Sequence, residues 1–300
     1  MSNNLSNNQL QTEDTFGFKW KKRETYESPA VQAEWKRWLL EKYFDGDIQR
    51  LDDLLNSGGT RKEILDAGCG SGGSGFLLFG ERLKEHDYLG VDISDAVLVA
   101  EERFKENGVP GRFIQSDLNS IPKEHGPFDV IFSEGVLHHT DSVEKAIEQL
   151  SSRLKIGGKF LFYVYAKKSP IREFTDDMIR SSISGLSNDE AWQAIMPLTK
   201  FGKILGDLNA EIEISEDIPL LGIKKGRQNL QRLFYYNVCK SYYRPDYSLE
   251  EMNHINFDWF RPLNCYRHTP EEIKVFCDQA GLIIERLNIE DAGISIIARK

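Results

Sequence analysis

Short apolar strands alternating with amphipathic helices predict a doubly wound α/β sheet for this 300-residue chain. Two further observations shape that prediction. A glycine-rich turn, LDAGCGSGGSG at 65–75, follows the first strand, and a long helical stretch interrupts the alternation before a closing pair of strands.

The opening MSNNLSNNQLQTEDT, residues 1–15, is polar, lacks the basic start and apolar run of a signal peptide, and reads as a disordered leader. Next comes the aromatic and basic text TFGFKWKKRETYESPA. From Val31 onward, Trp35, Trp38, Leu39, Phe44, Ile48, Leu51 and Leu55 recur at threes and fours, a helical pattern broken at NSGG. Five apolar segments then read as strands: EILDAG, YLGVDI, RFIQSD, FDVIFSE and GKFLFYVYA. Ser94 is placed to cap the helix DAVLVAEERFKENG, and Asp141 to cap SVEKAIEQLSSRLK, whose Val143, Ile147, Leu150 and Leu154 share a face. Gly157 and Gly158 are expected to stop that second helix.

After Ala166 the alternation lapses, and residues 167–268 are mostly helical by pattern. Thr269, Pro270 and Glu272 then supply an N-cap, an N1 proline and a capping-box glutamate for a helix ending at Gly281. IIERLNIE and GISIIARK follow as an antiparallel pair joined by Asp291, Ala292 and Gly293. The expected organisation is a leader (1–15), an N-terminal helical lid segment (16–60), a ligand-binding core (61–166), a helical insertion acting as substrate lid (167–268), and a helix with a strand pair completing the core (269–300). The sheet so assembled has seven strands, the last antiparallel.

Composition narrows the partners. Asp plus Glu outnumber Lys plus Arg by 47 to 38, a net charge of -9, which leaves no global electrostatic reason to hold a phosphate backbone. A nucleic-acid partner is therefore not expected, nor is a membrane, since no run approaches a membrane span. Cys69, Cys239, Cys265 and Cys277 show no paired spacing and read as reduced thiols of a cytoplasmic protein. Oligomeric state stays open between monomer and homodimer.

The glycine loop fits two cofactor patterns. Gly68, Gly70 and Gly73 match the dinucleotide spacing, with Asp92 about the right distance on for a ribose. Against a pyrophosphate stands Asp66 at the tip of the first strand, which would repel it but welcome an ammonium. Asp117, ending FIQSD, is placed to accept from an adenine amine, and a double glycine precedes the fifth strand. With LDAGCGSG, GVD, QSDL, FDVIFSEGVLHH and LKIGGKFLF in this order, the stretch from about Glu63 to Ala166 resembles the class I S-adenosylmethionine-dependent methyltransferases, of the small-molecule kind with a methyltransferase type 11 or UbiE-like core.

That resemblance implies a Rossmann-like fold and S-adenosylmethionine as cofactor, with S-adenosylhomocysteine as product. By the same resemblance Asp66, Gly68, Gly70 and Gly72 would cradle the methionine part, and Asp92 the ribose with Ile93 on adenine. Ser116, Asp117 and Leu118 would surround the adenine, and Ser133, Glu134 and Gly135 would form the floor under the sulfonium.

Methyl transfer from a sulfonium needs alignment first and a base only where the acceptor must lose a proton. His138 and His139 are the catalytic candidates; His138 is similar to the histidine of an LHD-type segment, with Thr140 where an aromatic would stand. Either histidine can instead cap the next helix. A second cluster, His254, Asp258, Trp259, Arg261, Tyr266 and His268, lies on a loop-like stretch and could wall a polar substrate or anchor the insertion. Trp20 and Arg23 are candidate lid residues. SEGV replaces the N-P-P-Y text of base-flipping amino methylases, the double-glutamate loop of arginine methylases is missing, and no metal constellation stands out. The expected function is methylation of a small polar metabolite, on oxygen before nitrogen or carbon. An NAD(P)-dependent oxidoreductase and a catalytically silent cofactor-binding module are the alternatives from other classes.

Overall fold

The computed structural model describes residues 5–300, which divide into two units. Unit 1 takes the chain up to Lys21, Gln32–Ala166 and Tyr266–Lys300; unit 2 takes Lys22–Val31 and Lys167–Cys265. In chain order the elements are α1 (Asn7–Trp20), α2 (Pro29–Phe44), α3 (Ile48–Asn56), β1 (Glu63–Ala67), α4 (Gly73–Phe79), β2 (Asp87–Asp92), α5 (Ala96–Glu106), β3 (Arg112–Gln115), β4 (Phe128–Glu134), α6 (Val143–Ser152) and β5 (Leu154–Tyr165). Unit 2 contributes α7 (Pro170–Ile183), α8 (Asn188–Asp207), β6 (Glu211–Ile214), β7 (Gly226–Asn229), α9 (Leu230–Asn237) and α10 (Leu249–Phe260). Unit 1 resumes with α11 (Pro270–Gln279), β8 (Ile283–Ile289) and β9 (Gly293–Arg299).

Seven strands of unit 1 form one sheet in the order β3-β2-β1-β4-β5-β9-β8. β9 pairs antiparallel with both β5 and β8, while β1 to β5 pair in parallel, so β9 alone opposes the rest. The order reverses between β1 and β4, the switch point at which doubly wound sheets bind ligands. Register places Asp66 opposite Gly90 of β2 and Phe132 of β4, so three carboxyl ends meet at this edge. On one face Leu65, Ile131, Phe160 and Ile296 pack with Ile147 and Leu150 of α6 and Ile273 of α11. Thr269, Pro270 and Glu272 start α11 with the expected capping box.

Several local expectations change. The leader is helical from Asn7, and only residues 1–4 of it lie outside the described residues. Its buried face is polar, with Gln9, Thr12, Thr15, Gly17 and Lys19, so hydrophobic periodicity could not reveal it. The single helical pattern from Val31 to Leu55 is two helices, because Asp45 and Gly46 take φ of 55° and 75° and Asp47 caps α3. Ser142, not Asp141, caps α6, while Asp141 accepts from Ser6. Asp95 occupies the N-cap position of α5 without a side-chain cap, and the Ser94 hydroxyl donates to Asp92 while accepting from the Ala96 amide at the start of the helix. Gly157 and Gly158 do not end α6, which stops at Ser152; they lie where β5 bulges against β4. A Cβ on Gly158 would sit 2.9 Å from the Lys155 carbonyl oxygen, so that bulge accepts no side chain.

Unit 2 is built on serine- and asparagine-capped helices, with Ser169, Ser187, Asn229 and Ser248 as the caps. The β6–β7 hairpin is an element that the helical reading of this stretch did not contain. Trp192 of α8 packs on Phe257 of α10, and Thr199, Asn253 and Asn256 bond between the same two helices. Phe162, fully buried in β5, tests the core of unit 1: Phe162→Ala is expected to lower stability by about 3–5 kcal/mol, measured by chemical denaturation.

Candidate active site

The glycine turn after β1 has a backbone that side chains would not tolerate. Gly68, Gly70 and Gly72 have φ of 85°, 52° and 72°, and a Cβ on Gly68 would lie 2.3 Å from Val136. The turn hangs from β2, since the amides of Gly68 and Cys69 both donate to the Val91 carbonyl, at 2.7 and 2.9 Å. Its neighbouring acids are buried. Asp92 accepts from the Gly70 amide (2.8 Å) and from the Ser94 amide and hydroxyl (2.9 and 2.6 Å); burial raises its pKa against those bonds. Asp66 has one hydrogen-bond partner among the described residues, the Tyr88 hydroxyl, and burial pushes its carboxyl up to about 7.

Glu134, at the end of β4, completes a row of three acids on neighbouring strands. Lys42 of α2, fully buried, forms an ion pair with it, and the Tyr43 hydroxyl donates to its other oxygen at 2.6 Å. The Lys42 ammonium also lies 3.3 Å from the Trp38 ring centre and 4.1 Å from that of Tyr163. Burial pulls this lysine down to about 8 although Glu134 opposes the shift. Sequence reading missed Lys42 because a lysine inside an amphipathic pattern ordinarily marks the solvated face.

The other expected residues fall as follows. Ser133 is buried and donates to the Ala67 carbonyl, 2.8 Å, and Gly135 follows with φ of 73°. After β3 Ser116 binds the end of β2 through its amide (to the Asp92 carbonyl, 2.8 Å), Gln115 reaches the Ile93 carbonyl, Asp117 is half-buried beside Asn119, and Leu118 is buried. Strand β3 itself stops at Gln115, two residues before Asp117. His138 and His139 lie in a 3₁₀ turn after β4, both buried. The His138 ring stacks on Tyr165 with centres 3.6 Å apart, and His139 faces Phe16 of α1 at 5.1 Å.

Helix α1 lies across this edge. Gln9 donates to the His139 carbonyl, Gly17 packs on Asp95, and a Cβ on Gly70 would be 2.6 Å from the Trp20 indole nitrogen. Trp20 stacks on Trp35. His268 is held in unit 1, its amide donating to the Tyr165 carbonyl.

The remaining candidates belong to unit 2. Most of the expected loop is the helix α10, which carries His254, Asp258 and Trp259, with Arg261 as its C-cap. Arg23 pairs with Glu27, His254 bonds to the Thr25 hydroxyl, and Arg261 donates to Asn188 and the Leu186 carbonyl. Trp259 donates to Asp176, which also accepts from Arg172. These contacts are internal to unit 2.

A methyltransferase domain model matches residues 65–162, from the end of β1 to the middle of β5. Residues 65–162 carry a methyltransferase domain. The ubiquinone/menaquinone biosynthesis C-methyltransferase UbiE of Azotobacter vinelandii is 26% identical over 70% of this chain and 77% of that protein. A tRNA U34 carboxymethyltransferase of Shewanella halifaxensis is 33% identical over 44% of this chain, and an uncharacterized protein of a Synechococcus strain 36% over 39%. The chain spans only 37% and 29%, respectively, of the length of those two relatives. Among solved structures, magnesium protoporphyrin IX methyltransferase from Synechocystis with bound S-adenosylhomocysteine superposes with a TM-score of 0.50, covering 96% of this chain and 97% of that one at 16% identity, a likeness of fold.

The residues around the glycine turn fit S-adenosylmethionine. Gly68, Gly70 and Gly72, without side chains, let the backbone of the turn approach a ligand, Asp66 has capacity for an ammonium, and Asp92 has an acceptor site left over for a hydroxyl. The buried Ser71 hydroxyl has no hydrogen-bond partner among the described residues, leaving a further polar group in the turn. Among the described residues no group of three or more His, Cys, Asp or Glu could hold a metal ion, and no helix is long and apolar enough to cross a membrane.

Raising the Asp66 pKa above 3.8 means that its contribution to stability is fully present below about pH 4 and is lost as pH rises toward 7. An ammonium brought beside it reverses the preference and ionises it. Binding of S-adenosylhomocysteine near about pH 6 is therefore expected to release most of one proton, read by calorimetry in buffers of different ionisation enthalpy, and Asp66→Asn abolishes the release. Lys42→Met leaves Glu134 buried beside Tyr43 alone; a loss of about 3–5 kcal/mol in unfolding free energy is expected, partly recovered by adding Glu134→Gln.

Proposed function

We propose that this protein transfers a methyl group from S-adenosylmethionine to a small polar metabolite, with oxygen the favoured acceptor atom over nitrogen or carbon. The observation that carries the cofactor half is the row of buried acids at the switch point, Asp66 with open capacity and Asp92 tied to the glycine turn. In this reading Asp66, Gly68, Gly70 and Gly72 hold the methionine portion, Asp92 and Ile93 the ribose and adenine, and Ser116, Asp117 and Leu118 the far side of the adenine. Bound S-adenosylmethionine supplies a methyl group already activated on a sulfonium. The chain's contribution is alignment in a water-poor place, which can lower the barrier by roughly 7–11 kcal/mol.

Ser133, Glu134 and Gly135 form the floor of that place. Lys42 and Tyr43 hold the Glu134 carboxylate in place beneath it. The proton of a hydroxyl acceptor goes to a histidine of the turn after β4. His138, whose ring lies on Tyr165, and His139 beside it are the two imidazoles of this turn. Unit 2, with His254, Asp258, Trp259 and Arg261, carries recognition of the acceptor.

A second reading has support of its own, because the Shewanella relative is named for action on tRNA U34. The net charge of -9 weighs against a polynucleotide acceptor here. Transfer of labelled methyl from S-adenosylmethionine into a metabolite fraction, with purified tRNA in parallel, separates the two. Label in tRNA alone would overturn the small-molecule reading, and binding of S-adenosylhomocysteine without transfer to either would point to the silent module. With a small-molecule acceptor identified, His138→Ala or His139→Ala is expected to cut kcat by about 10²–10⁴ with cofactor affinity kept. Full turnover in both variants would remove the base assignment.

A further inference from the structure

Outside the site just described, unit 2 buries a cation that its own fold does not neutralise. Lys240, between α9 and α10, is 7% exposed. Its amide donates to Asp176, but among the described residues its ammonium makes no hydrogen bond or ion pair and sits 4.6 Å from the centre of the Trp259 ring. A tryptophan face offsets only part of the cost of removing an ammonium from water. Consistent with that shortfall, burial lowers the Lys240 pKa to about 8, although Asp258 and Asp176 raise it.

The surroundings add positive charge. Arg172 lies 5.2 Å and Lys168 5.7 Å from the centre of the same indole. Asp176 already spends one oxygen on Arg172 and the Trp259 nitrogen and the other on the Lys240 amide. Asp258, half-buried on α10, is the other carboxylate acting on Lys240. A small apolar wall with an unspent ammonium in it is the arrangement by which proteins hold one acidic group of an organic molecule.

We propose that Lys240 and the Trp259 face form an oxyanion-binding site in unit 2, which takes a carboxylate or a phosphate monoester of a small molecule. The site stands on unit 2 alone; that its ligand is the methyl acceptor, and hence that the acceptor is an acid, rests on the reading that unit 2 recognises the acceptor.

The test uses the full chain, titrated with inorganic phosphate and, separately, with benzoate, followed by tryptophan fluorescence or calorimetry. One saturable site is expected for at least one probe, with benzoate preferred for a carboxylic acid ligand and phosphate for a phosphate ester. Lys240→Met is expected to weaken that binding by about tenfold or more, and Lys240→Arg to retain most of it, while S-adenosylhomocysteine affinity stays unchanged in both. Removing a buried ammonium without an oxygen partner should also raise the thermal midpoint of Lys240→Met. Absence of saturable binding by either probe, equal binding by Lys240→Met, or a lowered midpoint in that variant would overturn the site. Failure to bind S-adenosylhomocysteine, with anion binding intact, would instead count against the methyltransferase reading.

Discussion

Three carboxylates buried side by side at one edge of the sheet are the constraint that the rest of unit 1 answers. Asp66, Asp92 and Glu134 end β1, β2 and β4, adjacent strands whose parallel register brings their carboxyl ends together. Charges removed from water need partners, and the fold supplies a different one to each. Asp92 receives backbone amides and a serine hydroxyl, Glu134 a buried lysine and a tyrosine, and Asp66 a tyrosine hydroxyl. The acid with fewest partners, Asp66, is pushed up to about 7 by burial, and it is the one with capacity for an incoming cation.

The helices before β1 are part of this solution. α2 brings Lys42 and Tyr43 to Glu134 and places the Lys42 ammonium against Trp38 and Tyr163. α1 lays Trp20 against the glycine turn and Phe16 against His139. Aromatic rings around a charged row exclude water while remaining compatible with cations, which suits a positively charged cofactor.

Unit 2 follows another logic. Its helices are joined through buried polar contacts, among them Thr199 with Asn253, Arg172 with Asp176 and Arg261 with Asn188. Such networks are costly unless every member is satisfied, so Lys240 is conspicuous as the member whose charge lacks an oxygen partner among the described residues.

The seven-stranded sheet, its antiparallel strand and the glycine turn were legible in the text, because apolar strands, crossover helices and φ-positive glycines leave local signatures. So were Asp66 and Asp92, which lie at fixed spacing from those glycines. Among the things that could not be read are α1, whose buried face is polar; Lys42, which local patterning assigns to the surface; the β6–β7 hairpin; and the meeting of Lys168 and Arg172 with Trp259 and Lys240, which lie far along the chain from them. The sequence by itself determined the succession of core strands and the cofactor chemistry, since strand runs and turn glycines are read from residues close together in the chain. Only the tertiary structure decided which charges are buried and which are answered, because desolvation depends on everything packed around a group and not on its neighbours in the chain.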